Sequence, residues 1–90
     1  MKKVYKYSEV QYLYNNIGLN IKSYRKNLNM TQAMLADVTN LSHEYVRKIE
    51  ARQSNKSLSF TALNNIAIAL NVNIEDLVKP NIETIEKNLF

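Results

Sequence analysis

Ninety residues allow one domain with a single core, and 46% apolar content is enough to build it. One glycine (Gly18) and one proline (Pro80) suit helices joined by short polar turns, not a turn-rich β fold, and the absence of cysteine excludes disulfides, thiolate zinc sites and a cysteine nucleophile. The net charge of +4 is unevenly placed: residues 1–58 hold ten Lys/Arg against four Asp/Glu, while residues 59–90 hold two against four. A basic first two-thirds is either a solvated face or a surface for a polyanion, of which nucleic acid is the commonest.

The first segment, residues 1–14, is rich in tyrosine (Tyr5, Tyr7, Tyr12, Tyr14) and leaves two readings open. Lys3 to Tyr7 alternate weakly as a strand would, whereas Val10, Leu13 and Tyr14 would extend the first helix backward from Ser8. Lys2, Lys3 and Lys6 would suit an arm on a phosphate backbone, but such residues are more often tail or core. The stretch Met1 to Tyr7 is basic without the apolar core of a signal peptide, and the longest apolar run, Ile66 to Leu70, is far too short to span a membrane. A cytoplasmic location is expected.

Ile17, Ile21, Tyr24 and Leu28 then fall on one helical face, and Asn27-Leu28-Asn29 ends that helix. Thr31 is a good N-cap for a second helix running through Leu35 to Val38, and Thr39-Asn40-Leu41 reads as a short turn in which Asn40 tolerates the left-handed conformation. Ser42 caps a third helix with Val46 and Ile49 inward. Arg52 to Ser57 is a basic polar loop. Ser59 caps a fourth helix with Phe60, Leu63, Ile66, Ala67 and Leu70 on its buried side. Asn73 caps a short fifth helix carrying Ile74, Leu77 and Val78, which stops before Pro80. Ile82, Ile85 and Leu89 are spaced for a further amphipathic turn or two. The expected organisation is an extension over 1–14, an all-α five-helix domain over 15–79 and a tail over 80–90.

Two short capped helices joined by a three-residue turn cross steeply, so that the first braces the second as a projecting rod. An α-helix fits the major groove of B-DNA, where each base pair shows a distinct pattern of donors and acceptors. Such a rod needs an apolar inward face and long polar side chains outside. The third helix supplies both, since Val46 and Ile49 leave His43, Glu44, Arg47 and Lys48 outward, with Tyr45 at the margin. Thr31, Gln32 and Ser42 sit at helix N-termini, where phosphate binding is favoured, and Arg52, Asn55 and Lys56 follow in the loop.

In these residues the chain resembles the Cro and repressor-like helix-turn-helix family, also called the XRE family. The match begins at Ile17-Gly18-Leu19-Asn20-Ile21-Lys22-Ser23-Tyr24-Arg25. It continues through Met30-Thr31-Gln32, Leu35-Ala36, Leu41-Ser42 and Tyr45-Val46-Arg47-Lys48-Ile49-Glu50. It closes with Leu63, Ile66-Ala67, Ala69-Leu70-Asn71-Val72 and Ile74-Glu75-Asp76-Leu77. The resemblance implies a lambda-repressor-like five-helix bundle and a sequence-specific DNA-binding regulator, a repressor reading the major groove with residues 42–50. It further implies a phosphate contact from Gln32, base-edge contacts from His43, Glu44 and Lys48, and a structural ion pair between Arg25 and Glu50. The chain departs from the pattern at Asn40, where a turn glycine is usual, at Thr39, where leucine is usual, at Ala51, where a turn former is favoured, and in a longer loop before Ser59.

Other readings weigh less. His43 is the sole histidine, so a metal site is not expected. No Gly-rich phosphate loop or paired nucleophile and base points to an enzyme, no cofactor is implied, and Glu75-Asp76 suit the dipole at a helix start. The partners expected are double-stranded DNA and a second copy of the chain, docked through Ile82, Ile85 and Leu89, because one recognition helix spans few base pairs. The alternative is a protein-interaction module, an antitoxin or anti-regulator that touches DNA secondarily.

Overall fold

The computed structural model describes residues 7–51 and 58–81, with side chains from Tyr12 onward. They form five helices: α1 Tyr7–Asn27, α2 Gln32–Thr39, α3 His43–Glu50, α4 Phe60–Leu70 and α5 Ile74–Val78, with no strand among the described residues. The helix starting at Tyr7 follows the reading that extends α1 backward past Leu13 and Tyr14. The tail residues Ile82, Ile85 and Leu89 and the arm lysines Lys2, Lys3 and Lys6 lie outside the described residues.

The helix starts follow the capping chemistry of the sequence. Thr31, Ser42 and Ser59 each take extended backbone geometry, and their hydroxyl oxygens accept from the N–H of Met34, Tyr45 and Ala62. Asn73 heads a capping box in which Asp76 returns a carboxylate to the Asn73 N–H at 2.9 Å. The helix ends share one device. Asn29, Asn40 and Asn71 all take left-handed backbone, with φ of 57°, 57° and 58°. Behind each, a 6→1 bond returns to the helix: Met30 N–H to Arg25 O, Leu41 N–H to Ala36 O, and Val72 N–H to Ala67 O. Met30, Leu41 and Val72 then pack against the core, completing the apolar contact of that cap. In a chain with one glycine, asparagine takes the left-handed position three times among the described residues.

The core joins Ile21 of α1, Leu35 and Ala36 of α2, Val46 of α3, Leu63, Ile66, Ala67 and Leu70 of α4, and Leu77 of α5. Burying each large aliphatic side chain there contributes about 1.5–3 kcal/mol. α2 packs on α3 and α4, and α1 packs across α3, α4 and α5. At the far end, Asn16 and Asn20 are buried on α1 and donate to carbonyls at the end of α5, Asn20 to Leu77 O at 2.8 Å and Lys79 O at 2.7 Å. Asn81 closes the circuit, donating its side-chain amide to Asn20 Oδ1 at 2.8 Å. A helix leaves its last carbonyls without partners, and here α1 supplies them.

Three sequence expectations are corrected. Phe60, read as buried, is 72% exposed. Ala62 takes the inward place in the first turn of α4, and at 100° per residue Phe60 then lies about 200° away. Leu28, read as the last inward residue of the first helix, is half exposed, because α1 stops at Asn27 and the turn brings Met30 inward instead. Thr39 belongs to α2, not to the turn. It is buried, and its hydroxyl donates back to Leu35 O at 2.7 Å and lies 3.2 Å from Ala36 O. That bond is how a polar residue occupies a place where the family favours leucine.

Candidate nucleic-acid interface

α3 is held from three directions. Val46 is fully buried, and Ile49 packs against the core. Gly18 lies buried on α1 directly against the Ile49 carbonyl, so close that a Cβ would overlap the carbonyl oxygen. This is the one position in the chain where glycine permits a close helix approach, and it sets how near α3 lies to α1.

The third anchor is ionic. Arg25 Nε donates to Glu50 Oε2 and Arg25 Nη2 to Glu50 Oε1, both at 2.7 Å, with side chains only 8% and 2% exposed. The remaining arm of the guanidinium, Nη1, donates to Met30 O at 2.6 Å, and Gln32 Nε2 donates to Glu50 Oε1 at 3.1 Å. α1, the turn after it, α2 and α3 thus meet at one carboxylate. Hydrogen bonding to Glu50 is the main cause that holds the Arg25 pKa above its ordinary value, against the opposing effect of burial. The ion pair expected from the resemblance is therefore present and buried.

With its inner side fixed, α3 turns His43, Glu44, Arg47 and Lys48 outward, and Tyr45 is half-buried at the margin. Arg47 Nη2 donates to Glu44 Oε1 at 2.6 Å and Nε to Glu44 Oε2 at 3.2 Å, while Lys48 Nζ lies 3.5 Å from Glu44 Oε1. The hydrogen bond from Arg47, with help from Lys48, lowers the Glu44 pKa below the ordinary carboxylate value, and that of Arg47 rises in return. At the start of the helix, His43 Nε2 lies 3.0 Å from Asp37 Oδ1 of α2.

The expected site residues thus divide into groups. His43, Glu44 and Arg47 are exposed and Lys48, half-buried, borders the same face. Thr31 and Ser42 are exposed caps at the two helix starts, each hydroxyl free to donate outward while its oxygen accepts from the backbone. Gln32 is half-buried and joins the Arg25–Glu50 anchor. Arg52, Asn55 and Lys56 lie outside the described residues. Sequence reasoning missed Gly18, Asp37 and the asparagines of α1. Asn16 and Asn20, four apart on a buried face, were the signal for an internal polar partner, though nothing in the sequence names the α5 carbonyls they reach.

A helix-turn-helix family model matches residues 21–77, which hold both partners of the Arg25–Glu50 anchor and all of α2 to α5. The chain belongs to the Cro/repressor-like helix-turn-helix family of DNA-binding proteins. Among relatives of this helix-turn-helix chain, the immunity repressor protein of Bacillus phage phi105 is 39% identical over 62 residues. That alignment covers 69% of this chain but 42% of the phage protein, so the chain spans less than half of that relative's length. Among solved structures, a hypothetical transcription factor, NHTF, from Neisseria superposes with a TM-score of 0.73 at 25% identity, covering 89% of this chain and 88% of that one. SinR, a master regulator for biofilm formation solved in complex with DNA, gives a TM-score of 0.65 at 27% identity, covering 70% and 98%. The helix-turn-helix fold here is the lambda-repressor-like bundle.

Proposed function

We propose that this chain is a sequence-specific DNA-binding transcriptional regulator, a repressor that lays α3 in the major groove. The observation that carries the reading is the division of α3 into two faces. Val46, Gly18 of α1 and the Arg25–Glu50–Gln32 anchor fix its inner side, while Glu44, Arg47 and Lys48 project from the other as long polar side chains. A reading helix needs that combination, because base discrimination requires donors and acceptors held in place before DNA arrives.

In this reading residues 15–79 are the DNA-binding unit. Thr31 and Ser42 hydroxyls and the helix starts they cap meet phosphates on either side of the groove, with Gln32 beside them and Arg52, Asn55 and Lys56 following the backbone. His43, Glu44, Tyr45, Arg47 and Lys48 face the base edges. The protein works in the cytoplasm, without cofactor or catalytic activity, and as a homodimer on paired half-sites. The immunity repressor and the DNA-bound SinR support the class of target. Among the described residues no helix is long and apolar enough to cross a membrane, and no group of three His, Cys, Asp or Glu could hold a metal ion.

The test is selection of bound duplexes from a random pool at two salt concentrations. An enriched inverted repeat with fixed half-site spacing is the expected outcome. Binding without an enriched sequence, vanishing steeply with salt, would reduce the interaction to phosphate attraction. A second reading, a module that grips a protein partner and touches DNA secondarily, draws on two large apolar residues of α4 that face outward, Phe60 and Ile68.

A further inference from the structure

A carboxylate on the outer face of a groove-reading helix is electrostatically out of place, since the phosphates that flank the groove repel it. Glu44 is nevertheless held there as one half of an ion pair, because Arg47 grips it through Nε and Nη2 and Lys48 stands behind. The couple is built in a particular way. Arg47 spends the Nε–Nη2 side of its guanidinium on Glu44, which leaves the Nη1 hydrogens and one Nη2 hydrogen free as an end-on fork. Glu44, with about four lone-pair directions, retains acceptor capacity beyond those that Arg47 and Lys48 occupy. The outer face of α3 therefore presents an acceptor directly beside a two-pronged donor.

Only one arrangement of base edges is the reverse of that. In a C·G pair the cytosine N4 amino group, a donor, lies next to guanine O6, with N7 beyond it, two adjacent acceptors. In an A·T pair the amino group of adenine is flanked by single acceptors on either side, and the thymine methyl closes one end. A carboxylate coupled to a guanidinium fork fits the first pattern and meets only part of the second.

We propose that Glu44 and Arg47 read a single C·G base pair as one unit, Glu44 accepting from cytosine N4 and Arg47 donating end-on to O6 and N7 of the paired guanine. The proposal rests on the DNA-binding reading above and adds its specificity. Glu44 acts in two directions: it rewards a donor at its position and, through its charge, penalises guanine O6 or thymine O4 placed there. Lys48, paired with Glu44 at the longer distance, has no part in choosing that base pair.

The experiment is selection from random duplexes with the full chain, run in parallel for the native protein, Glu44→Gln, Arg47→Ala and Lys48→Ala, with thermal melts to confirm that each is folded. The native protein is expected to select a fixed C·G pair in each half-site. Glu44→Gln should change the preference at that same base pair toward adenine, because a glutamine amide pairs bidentately with adenine N6 and N7. Arg47→Ala should lose about tenfold or more of the discrimination at the same base pair, and Lys48→Ala should leave its identity unchanged. If the native protein selects a motif but the Glu44 and Arg47 variants alter different base pairs, or neither alters any, the paired reading is wrong while the DNA-binding reading stands. If the native protein selects no motif, both are wrong.

Discussion

Among the described residues, two arginine–glutamate pairs of nearly the same shape meet on α3, one turned to the interior and one to solvent. Arg25 and Glu50 meet through Nε and Nη2 at 2.7 Å each, and Arg47 and Glu44 meet through the same two nitrogens at 3.2 and 2.6 Å. They differ in water. The first pair is 8% and 2% exposed, the second 57% and 56%. A buried pair carries a large desolvation cost that its partners must offset, so losing either partner strands a charge in the interior. An exposed pair loses little when broken, since solvent and salt replace the missing partner. One motif of side-chain chemistry is therefore a fastener where α3 meets the core and a solvated couple where it meets water.

The strongest way to break this comparison is Glu50→Ala, which should destabilise the fold by about 3–5 kcal/mol in urea denaturation and abolish DNA binding only by unfolding the domain. A fully stable variant that fails to bind would place Glu50 in the interface and erase the distinction. Gly18→Ala should follow, at about 3 kcal/mol, because the new methyl meets the Ile49 carbonyl and the backbone of α3 must give way. Calorimetry showing an unchanged melting temperature would mean that α1 and α3 have room to part.

Asn20→Ala should cost about 1–3 kcal/mol, by removing the side-chain donor to the Leu77 carbonyl, one of the two donors to the Lys79 carbonyl, and the oxygen that accepts from the Asn81 amide. Its effect on sequence preference should be nil, because the α5 end lies away from the reading face. On the exposed side, Glu44→Ala should leave the melting temperature where it was, which is the sharpest contrast with Glu50→Ala. The last prediction concerns pH. The Glu44 carboxyl is depressed, so its charged form persists above the lowered value and is lost only as pH falls through it. Preference at the base pair that Glu44 reads should therefore be the same at about pH 7 and about pH 5, and a change at that base pair over the interval would show its carboxyl raised, not lowered.

Much of the site was legible in the sequence because it rests on local rules. Thr31, Ser42 and Ser59 are capping residues wherever a helix starts, and the outward set of His43, Glu44, Arg47 and Lys48 follows from the placement of Val46 and Ile49 alone. Phe60 and Leu28 failed the same reasoning for a definable reason. Periodicity gives a face but not where along the helix that face meets a neighbour, and both residues stand at helix ends, where the stripe runs out. Gln32 was assigned by resemblance to a phosphate, and the structure gives its amide to Glu50 first. Whether an amide is committed inward depends on a residue eighteen positions away, which a local pattern does not contain.

The sequence by itself determined the helices α2 to α5, their caps, the left-handed turn at Asn40 and the polar side of α3, since each follows from residues within a turn or two of one another. Only the tertiary structure decided how those elements lock together. Gly18 matters because the Ile49 carbonyl is beside it, Asn16 and Asn20 because α5 ends against them, and Arg25 because it draws Met30, Glu50 and through Glu50 also Gln32 into one network. Hydrogen bonding and close packing act over a few ångströms in space, and nothing in the linear order of the chain records which distant residues will come that close.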